Sequence, residues 1–198
     1  MALTAAGYLQ AQPSAGNLFV GGSVGFSTSI DKTKSGGTTH KDATTLNITV
    51  LPMAGYFLSD RIAVGARLGI DAEITKRPDE VLEKSTNTSF VINPFGRYYL
   101  ISDKGGLFAE ASVMVAPGST KNHFENNTTT SNTMFFSVGV APGVYYYITE
   151  KLALEAKFGW LGFESGVSES GNDVKDINNF FGLDISPDQL SFGLTYTL

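Results

Sequence analysis

The chain has 198 residues, a net charge of −5, 22 glycines, 12% aromatic residues and no cysteine. The negative charge removes the electrostatic footprint of a nucleic-acid binder, and the missing cysteines exclude a disulfide framework or a thiolate metal site. No window offers the 18 or more apolar residues of a membrane helix, so a helical membrane protein is excluded as well.

Residues 1–12, ending "AGYLQAQ", read as the end of a secretory signal, with an ordinary N-terminal tail as the alternative. The remaining residues, 13–198, read as one β-domain. Its strands fall at about 17–30, 43–58, 61–75, 87–101, 106–119, 132–148, 151–165 and 178–198. The third strand shows the pattern best: Ile62, Val64, Ala66, Leu68 and Ile70 alternate with Ala63, Gly65, Arg67, Gly69 and Asp71. That is period two, the mark of a strand with two unlike faces. In the fifth, Leu107, Ala109, Ala111 and Val113 oppose Phe108, Glu110, Ser112 and Met114. In the seventh, Leu152, Leu154, Ala156, Phe158 and Trp160 oppose Ala153, Glu155 and Lys157. In the last, Leu190, Phe192, Leu194 and Tyr196 share one face.

Three connections repeat about every 45 residues: "PMAGYFLSDR", "PFGRYYLISDK" and "PGVYYYITEK". Each runs from a proline through an aromatic pair into Ser/Thr–Asp/Glu–Lys/Arg. A period of this size marks a repeated supersecondary unit. The connections between these repeats are long and polar, as in "DKTKSGGTTHKD" and "STKNHFENNTTTS". Short and long connections in alternation predict an antiparallel up-and-down meander, closed as an eight-stranded transmembrane β-barrel.

Polarity decides between a soluble and a membrane barrel. One face is almost wholly apolar, while the other carries Arg67, Arg97, Glu110, Glu155 and Lys157. The charged face is therefore predicted inside and the apolar face in lipid. The turn lengths predict Met53 opposite Arg67, Arg97 opposite Glu110, and Tyr145 opposite Glu155, so inward residues meet inward residues. The five charges are expected to form one structural layer in the lumen, since buried charges must be paired. Replacing Arg97 and Glu110 together by Met and Leu is then expected to cost far less than losing Arg97 alone.

Tyr56, Tyr98, Tyr146 and Tyr196 are expected to form an outward aromatic girdle above the short turns. Phe26, Phe90, Phe136 and Trp160 are expected at the other rim. Pro52, Pro94 and Pro142 each remove a ladder donor, which predicts a bulge or weakened pair. Phe181, Leu183 and Ile185 are odd-numbered, Leu190 to Tyr196 even, so a bulge is expected within 186–189. The alternative is that 180–187 is loop. Phe180 and Phe181 are expected to cap the lumen or face lipid at the upper rim.

"PFGRYYLISDKGGLFAEASV", "GYFLSDRIAVGARLGI" and the ending "LSFGLTYTL" resemble the small outer-membrane β-barrel proteins of Gram-negative bacteria, the OmpA/OmpX-like barrel domain. The resemblance covers about residues 17–198. It departs from the family's usual aromatic terminal residue at Leu198. It implies a Gram-negative outer-membrane location with periplasmic termini. The surroundings it implies are outer-membrane lipid and lipopolysaccharide, and the partner during insertion is the barrel-assembly machinery. It carries over no catalytic residue, no cofactor and no metal, and the barrel is expected to be a monomer that binds no nucleic acid.

Three functions follow from this fold: a structural or surface-interaction protein whose long loops meet an unidentified partner, a narrow pore, or a lipid-modifying enzyme. The best enzyme trio is His123 with Glu125 and Ser119. The other histidine, His40, lies in a different polar stretch, and no metal-ligand spacing joins the two.

Overall fold

A computed structural model describes residues 14–35, 38–77, 82–100, 104–124, 127–170, 174–185 and 190–198. Ten strands form one antiparallel sheet: β1 (Leu18–Ser35), β2 (Thr38–Ser59), β3 (Ile62–Lys76), β4 (Leu82–Tyr99), β5 (Gly105–Phe124), β6 (Asn127–Tyr147), β7 (Leu152–Lys157), β8 (Trp160–Ser170), β9 (Val174–Asp184) and β10 (Ser191–Thr197). Each strand from β1 to β6 pairs with the next. β7 and β8 both pair with β6 and form one interrupted line; β10 and β9 pair with β7 and β8 and form another. β10 returns to β1 through Phe19↔Thr197 to Gly22↔Leu194, which closes a ring of eight. The start of β1 and the end of β10 meet at the short-turn end, where the Leu198 amide donates to the Leu18 carbonyl at 2.9 Å.

The repeated triplets make the short turns by one device. Ser59 Oγ accepts from the Arg61 and Ile62 amides at 3.3 and 3.1 Å. Thr149 Oγ1 does the same for Lys151 and Leu152 at 3.3 and 3.0 Å. A short hydroxyl side chain at the turn's first position satisfies amides that the ladder cannot reach. The third triplet, at 102–104, falls partly outside the described residues.

The long polar stretches are mostly ladder rather than loop. Pairing continues to Ser35↔Thr38, Lys76↔Lys84, Phe124↔Asn127 and Ser170↔Val174. Their threonines suit strands, and in water neither face has to be apolar. A period-two hydrophobic pattern cannot reveal a strand wet on both sides, which is why the sequence boundaries stop short.

All three predicted registers are present: Met53↔Arg67, Arg97↔Glu110 and Tyr145↔Glu155. Pairing on one flank lapses beside each in-strand proline. It lapses between Val50 and Met53 at Pro52, between Ile92 and Phe95 at Pro94, and between Ser89 and Ile92 opposite Pro117. At Pro142 the irregularity is a bulge. β6 advances three residues from Gly143 to Val140 while its neighbours advance four, from Lys157 to Leu161. The extra residue sits at Phe158–Gly159, where Gly159 has φ +69° and the Phe158 amide donates to the Pro142 carbonyl at 3.2 Å. A left-handed glycine is the usual hinge of such a bulge.

That bulge overturns one expectation. An added residue reverses the phase, so Trp160 does not share the outward face of Leu152 and Leu154. β8 instead turns Leu161 and Phe163 outward, opposite Val140 and Val138. Trp160 lies inside, with its indole against the inward faces of Gly139 and Gly162. The seventh line of the ring is therefore not one unbroken strand.

The last line also changes phase. Leu183 and Phe181 pair with outward Leu161 and Phe163, whereas Leu194 and Tyr196 pair with outward Leu154 and Leu152. Ladder pairing from Val174 to Asp184 overturns the loop alternative over 180–184. The expected bulge positions, 186–189, lie outside the described residues.

Among the described residues, β1 beyond Gly22 pairs with β2 alone, and β9 with β8 alone. Among the described residues the ring is closed by the β1–β10 ladder up to Gly22, and no ladder joins β9 to the outer half of β1.

Two glycines separate strain from packing. Gly159→Ala places a Cβ in the left-handed region and 3.2 Å from the Asp184 carbonyl. It should destabilise the barrel by about 1–2 kcal/mol. Gly96→Ala meets nothing within 4 Å and should change stability by less than about 0.5 kcal/mol. Urea titration of the folded barrel in detergent measures both.

Candidate functional site

The lumen holds the five predicted charges in one layer. Arg67 comes from β3, Arg97 from β4, Glu110 from β5, and Glu155 and Lys157 from β7. Alternation turns every one of them inward, and closure brings the four strands around a common centre. Glu110 is that centre. Its Oε2 accepts from Arg67 Nη2 at 2.5 Å and from Arg97 Nε at 2.7 Å, and its Oε1 accepts from Lys157 Nζ at 3.0 Å. Arg97 Nη1 reaches Glu155 Oε1 at 2.8 Å, and Thr195 Oγ1 donates to that same oxygen at 2.6 Å. Three cations thus share two carboxylates in a space where Glu110 and Arg97 are about 1% and 2% exposed. Burial at this level demands such pairing, since an isolated charge here would face a desolvation cost of several kcal/mol.

Asn93 is a sixth member that the alternation pattern alone did not single out. Its Oδ1 accepts from Arg67 Nη1 at 2.8 Å, and its Nδ2 donates to the Val113 carbonyl at 2.9 Å. The ladder lapse at Pro94 lies at this point. Pro94 has no N–H to offer across the strand, and the neighbouring amide side chain supplies a donor and also orients Arg67. The signal was the dipeptide Asn-Pro at an inward–outward pair.

Aromatic rings support the layer and close the end nearest the short turns. Arg67 stacks over Phe95 at 4.2 Å, and Arg97 over Phe108 at 4.7 Å, distances at which the ring quadrupole attracts a cation. Below them lies a chain of rings: Phe19–Phe57 at 5.2 Å, Phe57–Tyr99 at 5.6 Å, Tyr99–Phe108 at 5.8 Å and Tyr99–Tyr145 at 5.3 Å. The sequence held a sign of this plug. Phe57, Tyr99, Tyr145 and Tyr147 immediately adjoin the outward girdle tyrosines, so alternation turns them in. One cavity beside the charges, bordered by Gly22, Met53 and Lys157, is about 20 Å³, room for about one water molecule.

Outside, Tyr56, Tyr98, Tyr146 and Tyr196 are all exposed next to the short turns. Lys104 Nζ lies 5.5 Å from the Tyr146 ring and Lys151 Nζ 5.8 Å from that of Tyr196. At the far rim Phe26, Phe90 and Phe136 are exposed and outward; Trp160 is not among them.

Of the possible enzyme trio, two members lie among the described residues. His123 Nδ1 is 3.1 Å from Thr128 Oγ1, Ser119 pairs across the ladder with Thr88 and Asn132, and Glu125 lies outside the described residues. His40 joins the ladder opposite Thr33. Among the described residues no three His, Asp or Glu side chains are grouped as for a metal ion.

The model for the outer membrane protein beta-barrel domain matches residues 1–197. Two solved structures are similar: Neisserial surface protein A, at 17% identity and TM-score 0.41 over 91% of this chain and 97% of that one; and the N-terminal β-barrel domain of Pseudomonas aeruginosa OprF, at 13% identity and TM-score 0.41 over 93% of this chain and 98% of that one. No curated protein sequence matches the chain.

The shared centre changes what a double substitution does. Arg97→Ala should cost roughly 3–5 kcal/mol, because it strands Glu155 and part of Glu110. Replacing Arg97 and Glu110 together by Met and Leu gives no rescue, since Arg67 and Lys157 lose their carboxylate; the pair should cost at least as much as Arg97→Ala. Lys157→Met should cost about 1 kcal/mol or less, as its side chain is 27% exposed and Glu110 keeps two guanidinium partners. Unfolding in detergent orders the three, and a double variant near wild-type stability contradicts the shared centre.

Proposed function

Since the chain belongs to the outer membrane protein β-barrel domain family, we propose that it is an integral outer-membrane protein with a sealed lumen and a surface-interaction role. The observation that carries this reading is the two-tier plug: the charge layer around Glu110 stands on stacked aromatic rings, while four ladders continue past the apolar band into polar sequence. A side-chain-filled eight-stranded barrel offers no water path. What remains for contact is the surface of the projecting hairpins. On this reading the termini and short turns face the periplasm and the hairpins face outward. The apolar belt sits in outer-membrane lipid and lipopolysaccharide, and the barrel-assembly machinery inserts it. The enzyme reading has little support, because His123 is turned to Thr128.

Purified barrel in a planar bilayer should give no steady conductance, and discrete, reproducible current steps overturn the sealed lumen. On intact cells, a variant with residues 119–131 replaced by a short turn should lose the surface contacts that the full chain makes. Unchanged contacts overturn the role given to the β5–β6 hairpin.

A further inference from the structure

The charge layer carries an excess that its own bonds do not remove. Arg67, Arg97 and Lys157 bring three positive charges, and Glu110 and Glu155 bring two negative ones. One positive charge is left over. Among the described residues no third carboxylate stands in this layer. The next inward ones are Asp71, which accepts from Thr49 at 2.5 Å, and Asp184, the ladder partner of Trp160. Neither borders the cavity beside the charges. Arg67, Arg97, Glu110 and Glu155 are all buried, and an unbalanced charge so far from water is strongly unfavourable.

The donors around the cavity are under-used as well. Arg97 gives Nε to Glu110 and Nη1 to Glu155, but among the described residues its Nη2 reaches only the Met53 thioether, at 3.9 Å. Thioether sulfur is a weak acceptor. Lys157 Nζ has three N–H donors, and among the described residues it uses one, on Glu110 Oε1 at 3.0 Å. Met53, Arg97 and Lys157 all border the cavity, as do Arg67 and the hydroxyl residues Ser23 and Ser191. A hydroxyl rotates to donate wherever an acceptor lies. Glu155 is on the border too, but its Oε1 is already held by Arg97 and Thr195.

The cavity's volume, about 20 Å³, is a little more than one water needs. A water molecule would meet the donors and leave the excess charge in place. A monatomic anion meets the donors and removes the charge, whereas sulfate and phosphate are too large for the space. The Lys157 side chain is 27% exposed, so a small ion can arrive from the side away from the aromatic plug. We propose that this cavity binds one halide ion, chloride under ordinary conditions, held by Arg97 Nη2, Lys157 Nζ and the hydroxyls of Ser23 and Ser191. With it the layer is neutral. This binding is independent of the surface role, since it needs neither a partner on the hairpins nor conductance.

The full barrel, folded in uncharged maltoside micelles, is unfolded in urea with chloride exchanged for methanesulfonate at constant ionic strength, so that screening does not change. Raising chloride from about 1 to about 300 mM should raise the unfolding midpoint saturably, as a ligand of the folded state does. Lys157→Met removes the excess charge and should abolish this dependence. In methanesulfonate that variant should be at least as stable as the unchanged barrel, and in chloride less stable. Heat-modifiable migration on a gel shows that it is folded. Crystals of the unchanged barrel grown in sodium bromide should give one anomalous peak bordered by Met53, Arg97 and Lys157. A midpoint that ignores chloride, a missing bromide peak, or an equal chloride response in Lys157→Met overturns the site. A bromide peak without chloride-dependent stability means binding at crystal concentration only, and overturns it too. A conducting or contact-deficient barrel that keeps its chloride dependence refutes the surface reading alone.

Discussion

A backbone amide in hydrocarbon has no water to bond to, so a strand that crosses lipid must be paired on both sides. That constraint shapes the closed part of this molecule. It forces the sheet into a ring, and the ring divides every strand into a lipid side and a lumen side. Polar side chains then have one place to go. With eight strands that place is narrow, and charges from β3, β4, β5 and β7 arrive at the same spot. The layer around Glu110 is the consequence: three cations can share two carboxylates only because the wall holds them within hydrogen-bonding distance.

The lumen is filled by the same economy of space. Inward rings lie where a neighbouring strand offers a glycine: Phe19 against Gly55, Phe95 against Gly65, Phe108 against Gly143 and Trp160 against Gly139. A side chain at any of these glycines would displace a ring. The abundance of glycine in this chain is thus a packing requirement of a small barrel as well as a matter of turns. The rings also give Arg67 and Arg97 apolar faces to stack on, which partly offsets the loss of water around the guanidiniums.

The prolines mark where the wall departs from regularity. A proline in a closed barrel has no solvent edge to face, so the lost donor is met locally. At Pro94 the Asn93 side chain bonds the Val113 carbonyl; at Pro142 a glycine bulge re-aims the following strand. The second solution has a large effect, because one added residue exchanges the faces of everything beyond it. Trp160 is carried into the lumen, and β8–β9 takes the opposite phase to β7–β10.

Alternation, turn spacing and charge placement were sufficient to determine, from the sequence alone, the antiparallel ring, the inside-out polarity, the three registers and the membership of Arg67, Arg97, Glu110, Glu155 and Lys157 in the lumen. These properties are local: a period of two depends only on neighbours along the chain, and a short turn sets the register of the hairpin it closes. Which cation meets which carboxylate, the service of Asn93 and the inward turn of Trp160 were decided by tertiary structure. Each depends on strands distant in sequence. A bulge has no period of its own, and a ring finds its place only when the glycine opposite it has been brought across by closure.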